Sequence, residues 1–122
     1  MTLNKHILLV EDQEILAMMT QAWLEDMGVT VTTVENGIKA KPELINNHFD
    51  LIMTDLLMPE LDGLGLLQWM QEKSITTPTM VISGISDPEQ LAKLRKFPNV
   101  IQILEKPLTM DQLIDVQHYI LG

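Results

Sequence analysis

A chain of 122 residues can bury one hydrophobic core, and 1–122 is read as a single domain. With 46% hydrophobic and 20% charged residues it has the balance of a globular protein, while a net charge of −9 argues against nucleic-acid binding by this domain alone. The lack of cysteine excludes a disulfide framework, thiolate chemistry and a cysteine-bound zinc, and no apolar run nears the roughly 18 residues of a membrane helix or forms a signal peptide, so a cytoplasmic setting is expected.

Ile7-Leu8-Leu9-Val10 is a short apolar run ending in Glu11-Asp12, the pattern of a strand buried on both faces. Ile15, Met18, Met19, Ala22, Trp23 and Met27 recur at helical spacing, which predicts a helix over 14–27 with these residues in the core and Gly28 as its stop. Val29 to Val34 reads as a strand near a sheet edge. After the turn Glu35-Asn36-Gly37, a helix over 38–47 must place Pro42 in its first turn or kink around it. Leu51-Ile52-Met53-Thr54 is a third strand, which delivers Asp55 into a loop containing Met58-Pro59 and Asp62-Gly63. Leu64, Leu67 and Met70 mark a third helix. Thr79 to Ile82 is a fourth strand ending at Ser83-Gly84.

Asp87-Pro88-Glu89-Gln90 starts a helix over 88–96, with Asp87 as cap, Pro88 in the first turn and Gln90 reaching back to the cap. Leu91 and Leu94 anchor it; Lys93, Arg95 and Lys96 form a solvated basic face. Val100 to Leu104 is the fifth strand, followed by Glu105-Lys106-Pro107. A last helix begins at Thr109, with Thr109 and Gln112 as a capping box and Met110, Leu113, Ile114 and Leu121 turned inward. His6, His48 and His118 lack partners at metal-ligand spacing and read as ordinary surface or strand-edge residues.

Five βα repeats make an α/β fold, with a parallel sheet and helices on both faces. Ligands of such sheets sit beyond the carboxyl ends of the strands. Those ends carry Glu11 and Asp12, Asp55, Ser83, and Lys106. Crowded carboxylates resist joint ionisation unless a cation offsets them, and a hard divalent ion such as Mg²⁺ suits their oxygens. A lysine and a hydroxyl beside them supply what a phosphoryl group needs.

Ile-Leu-Leu-Val-Glu-Asp, Asp-Leu-Ile-Met-Thr-Asp-Leu-Leu-Met-Pro-Glu-Leu-Asp-Gly, Val-Ile-Ser-Gly and Glu-Lys-Pro occur here in the order in which the receiver domains of two-component response regulators carry such motifs. The chain resembles that CheY-like family along nearly its whole length. The resemblance implies a single doubly wound five-stranded sheet in the flavodoxin-like order 2-1-3-4-5. It implies that Asp55 accepts a phosphoryl group from a histidine kinase or histidine phosphotransfer protein. Glu11, Asp12, Asp55 and the backbone carbonyl of Leu57 would hold Mg²⁺, Ser83 and Lys106 would contact the phosphoryl group, and the Lys106–Pro107 bond would be cis. The surface formed by helix 88–96, strand 100–104 and helix 109–121 would meet a partner or output domain.

The chain departs from that pattern at Ile103, where the family usually has Phe or Tyr. The switch would then run through Ser83 and the loop into helix 88–96 rather than through an aromatic ring. Leu57 and Ile85 are apolar where polar residues are frequent; they would hinder the water that hydrolyses an aspartyl phosphate and so prolong its life. Lys96-Phe97-Pro98-Asn99 replaces the usual turn before the last strand. A scaffold that binds partners without phosphorylation is the alternative, weakened by the full residue set. A phosphatase acting through an aspartyl phosphate usually needs a second acid two residues after the nucleophile, and Leu57 occupies that position. The expected role is therefore a signalling phosphoacceptor, with self-catalysed transfer and slow autodephosphorylation as its only chemistry.

Overall fold

The computed structural model describes residues 4–57, 60–84 and 87–122. Its elements alternate in chain order: β1 (His6–Val10), α1 (Glu14–Asp26), β2 (Thr30–Val34), α2 (Gly37–Asn46), β3 (Leu51–Asp55), α3 (Gly63–Glu72), β4 (Thr79–Ser83), α4 (Pro88–Arg95), β5 (Val100–Glu105) and α5 (Met110–Leu121). The strands form one sheet in the order β2-β1-β3-β4-β5, and every pairing is parallel. This is the predicted flavodoxin-like (βα)₅ arrangement. No helix among the described residues is long and apolar enough to cross a membrane.

Strand alternation divides the core into two layers. Leu8, Val10, Ile52 and Val81 pack on one face of the sheet with Ala40 and Leu44 of α2, Leu66, Leu67 and Met70 of α3, and Leu94 of α4. Ile7, Leu9, Leu51, Met53, Met80, Ile82 and Leu104 pack on the other with Leu24 of α1 and Val116 and Ile120 of α5. The continuous apolar runs in β1 and β3 are thus needed twice over, once for each layer.

Both outer helices on the second face are rotated from the sequence expectation. Ile15, Met18, Met19 and Ala22 lie outside; the first three are 73%, 64% and 65% exposed. Ala17 and Leu24 face the sheet instead, with Trp23 and Met27 half-buried beside them. In α5, Met110, Ile114 and Leu121 are exposed, while Val116 and Ile120 are buried and Leu113 is half-buried. Each helix carries two apolar stripes, and the narrower one packs: Ala17 and Leu24 in α1, and Val116 and Ile120, an i, i+4 pair, in α5.

Several helix ends follow from local chemistry. The side chains of Asn36 and Asp62 accept from the Lys39 and Gly65 amides and cap α2 and α3, at 2.9 and 2.8 Å. Thr109 and Gln112 form the predicted capping box. Asp87 caps α4 by accepting from the Glu89 amide, but Gln90 does not reach back; its side-chain oxygen is buried without a partner among the described residues. Pro42 sits at the sixth position of α2, past the first turn, so the Ile38 carbonyl has no amide to accept from there. Gly28 takes φ 90° just after α1, a left-handed conformation that glycine adopts without cost.

Register slips once. Thr79 pairs with Val100 but Met80 pairs with Gln102, leaving Ile101 as an extra, 42% exposed residue in β5. The slip sets Ile103 beside Val81 and Glu105 beside Ser83, on the α4 face of the sheet.

Candidate functional site

The carboxyl rim of the sheet gathers the residues that the strand-end pattern singled out. Asp55 closes β3 and is buried, as is Glu11 just after β1; Asp12 is exposed. One carboxylate oxygen from each of the three lies within 4.8 Å of the others. The Lys106 ammonium donates to Asp55 Oδ2 at 2.5 Å and stands 3.8 Å from Glu11 Oε1. Ser83 ends β4, buried, and its carbonyl accepts from the Lys106 amide at 3.0 Å. That backbone bond ties the end of β4 to the lysine, and the Lys106–Pro107 peptide is cis as expected.

The backbone makes this convergence rigid around Asp55. Parallel pairing sets Thr54 beside Val10 and Asp55 beside Ile82, so adjacent strands end together. The Leu56 amide donates to the Ile82 carbonyl at 3.0 Å, and the Gly63 amide donates to the Leu56 carbonyl at 2.9 Å. A Cβ on Gly63 would meet the Asp55 carbonyl oxygen at 2.7 Å, so glycine alone lets α3 start this close. Leu57 projects into solvent, 58% exposed. Ile85 lies outside the described residues.

Charge is poorly balanced in the cluster. Burial pushes the Glu11 carboxyl up, and the negative charge of Asp55 and a hydrogen bond shared with it push further. The Gln13 amide, which donates to Glu11 Oε2 at 3.3 Å, and the Lys106 charge pull back. The result is about 7, against an ordinary 4.5. Burial lowers the Lys106 pKa, but its hydrogen bond to Asp55 and the charges of Asp55, Glu11 and Asp12 outweigh this and hold it above 10.5. One lysine does not neutralise three carboxylates. Their hard oxygen donors suit a small divalent cation, which would displace the proton that burial and Asp55 favour on Glu11.

Two open spaces flank the rim. One, of about 660 Å³, runs between α1 and the start of α5, with Leu16, Met19, Trp23, Leu108 and Leu113 along it and Glu11 and Lys106 at its head. The other, of about 300 Å³, lies between α4 and β5 and is lined by Ser83, Gly84, Leu91, Arg95, Ile103, Glu105 and Lys106. Sequence reading placed Met19 in the core and missed the first groove. The signal was present as the second apolar stripe of α1, but periodicity does not say which stripe packs. The basic face of α4 is solvated as expected: Lys93, Arg95 and Lys96 are all exposed. His6 is partly buried, its ring tilted against Phe49 with centroids 4.5 Å apart, and shares a 2.7 Å hydrogen bond with Thr32 Oγ1. It lies at the start of β1, at the opposite end of that strand from Glu11.

Known proteins resemble this chain in sequence and in fold. Over 107 residues, 88% of its length, the chain is 34% identical to the autoinducer 1 sensor kinase/phosphatase LuxN of Vibrio harveyi, covering 12% of that protein. It is 30% identical over 105 residues to the Regulator of RpoS of Escherichia coli, covering 31% of it. The chain thus spans less than a third of either relative. Among solved structures, the receiver domain of Francisella response regulator 1452 superposes with a TM-score of 0.85 at 27% identity, covering 96% of both chains. The receiver domain of a signal transduction histidine kinase from Syntrophus aciditrophicus superposes at 0.83 and 29% identity, over 96% of this chain and 89% of that one. The family model for the response regulator receiver domain matches residues 7–117. With a sheet in the 2-1-3-4-5 order and acids and a lysine meeting at its carboxyl rim, the chain belongs to the receiver domains of two-component signalling systems.

Proposed function

We propose that this receiver is a phosphoacceptor modified on Asp55, in a Mg²⁺-dependent reaction, by a histidine kinase or histidine phosphotransfer protein. The observation that carries the reading is Lys106 Nζ 2.5 Å from Asp55 Oδ2, inside a cluster whose other members, Glu11 and Asp12, are both acids. An Asp55 oxygen attacks the phosphorus of a phosphohistidine, the P–N bond breaks, and the imidazole leaves and takes a proton. Lys106 meets the charge that develops on the phosphoryl oxygens, and Ser83, at the adjacent strand end, donates its hydroxyl. Glu11, Asp12, Asp55 and the Leu57 carbonyl are the residues that would hold Mg²⁺. The ion would offset the repulsion between the incoming phosphoryl group and the acids.

The donor approaches over α1, where exposed Ile15, Met18 and Met19 and the 660 Å³ groove give an apolar landing surface leading to Glu11 and Lys106 at the rim. The surface of α4, β5 and α5 is left for a partner or output domain. The chain turns over no external substrate, apart from self-catalysed transfer and slow autodephosphorylation, and works in the cytoplasm. Incubation with acetyl phosphate and Mg²⁺ tests the reading: wild type should gain one hydroxylamine-labile phosphate and Asp55→Asn none. Persistent labelling of the variant would move the site elsewhere. No labelling of wild type by any phosphodonor would favour a partner-binding scaffold.

A further inference from the structure

The 300 Å³ pocket on the α4 side of the rim has a composition that the phosphoacceptor chemistry does not use. The slip at Ile101 turns Ile103 and Glu105 toward α4, next to Val81 and Ser83. Across from them, Leu91 and Arg95 stand one helical turn apart on α4 and line the same space. The floor made by Leu91 and Ile103 is apolar; the far wall is Ser83, Gly84 and Lys106, which carry the pocket to the phosphoacceptor cluster. Arg95 is exposed, and among the described residues it has no ion-pair partner. Lys93 and Lys96, its basic neighbours, are not among the described residues lining the pocket.

We propose that Arg95 is a positioning residue that couples charge added at Asp55 to α4, by moving its guanidinium into the pocket beside Ser83. The inference rests on Asp55 being the phosphoacceptor. A phosphoryl group there carries about two negative charges in place of one carboxylate and projects beyond the strand end. Lys106, which already faces Asp55 and Glu11, answers that charge from the end of β5. Arg95 is a second cation on the same pocket with room to respond: its methylene stem can lie along Leu91 and Ile103 while its head reaches toward the rim. The helix can follow, because α4 has eight residues and only Leu94 is fully buried among them. Glu105, on the same pocket, is repelled by the charge that draws Arg95 in, so the two side chains move in opposite senses. Ile103 leaves the space open for this exchange.

The test uses the whole chain, with Mg²⁺ and beryllofluoride as a non-hydrolysable phosphoryl mimic, followed by nitrogen–proton NMR. In wild type the Arg95 Nε–Hε resonance should shift and exchange more slowly with water, together with amide shifts across 88–96. In Arg95→Gln the Asp55, Ser83 and Lys106 amides should respond as in wild type, while the α4 shifts fall by roughly half or more. Arg95→Lys should restore part of the response, Lys93→Gln should leave it intact, and raising salt to about 0.5 M should shrink the Arg95 effect. An unmoved Arg95 side-chain resonance, or full α4 shifts in Arg95→Gln, overturns the coupling while leaving the Asp55 reading in place. If the Asp55, Ser83 and Lys106 amides stay fixed in wild type, the Asp55 reading fails and the coupling fails with it.

Discussion

Replacing Glu11 with glutamine should stabilise the metal-free protein, and only above the acid range. Folded Glu11 holds its proton to about pH 7, whereas an unfolded glutamate releases it near 4.5. The folded state therefore binds more protons across that window, and rising pH favours unfolding through it. At about 1.4 kcal/mol per pKa unit, the whole penalty is about 3 kcal/mol and is complete above pH 7. Glutamine keeps the shape and a donor for Asp55 but cannot ionise, so Glu11→Gln imitates the protonated state at every pH. Denaturant melts in chelator should give nearly equal stabilities near pH 4. By pH 8 the variant should be ahead by about 3 kcal/mol, or roughly 12 °C in Tm for a chain of this length. Taking variant minus wild type cancels the other titrating groups. Adding Mg²⁺ at pH 8 should stabilise wild type more than the variant and narrow the gap. A gap that is flat from pH 5 to 8, or one that shrinks with rising pH, would refute the account of crowded acids.

Asp12→Ala should cut Mg²⁺ affinity at least tenfold by titration calorimetry and leave the apo melting temperature unchanged or raised, since Asp12 is an exposed member of an over-acidic cluster. Gly63→Ala forces a methyl to 2.7 Å from the Asp55 carbonyl and should cost about 1–3 kcal/mol in urea melts, with slower phosphorylation as the site shifts. Leu57→Asn places a polar group beside the line of water attack opposite the Asp55 oxygen and should speed loss of phosphate from purified phospho-protein by about 10- to 100-fold. An unchanged decay would remove the water-access explanation.

Residues whose environment is set by the sheet were legible in the sequence. Continuous apolar runs gave the strands, and parallel connection then required Glu11, Asp55, Ser83 and Lys106 to share a rim; their separations in the chain have no bearing on that. The faces of α1 and α5 were not legible. Ile15, Met18 and Met19 satisfy helical spacing as well as Ala17 and Leu24 do, and periodicity alone does not choose which set meets Ile7 and Leu9. The slip at Ile101 was hidden for a related reason: an extra residue in an edge strand leaves no mark in an apolar run. Ile103 was noted as a missing aromatic, but the pocket it shares with Arg95 depends on that slip.

The close seating of Gly63 on the Asp55 carbonyl has a mechanical consequence. On that side α3 is clamped to the backbone of the reacting residue by steric contact and by the Gly63–Leu56 hydrogen bond, and Asp62 locks the first turn of the helix. A displacement starting at Asp55 meets a stiff wall there. Toward β4 and β5 the Leu56–Ile82 and Lys106–Ser83 backbone bonds tie the strand ends together, but beyond them lie an open pocket and a helix with a single fully buried leucine. The rim works as a lever with a fixed arm and a free one, and motion leaves by the free arm.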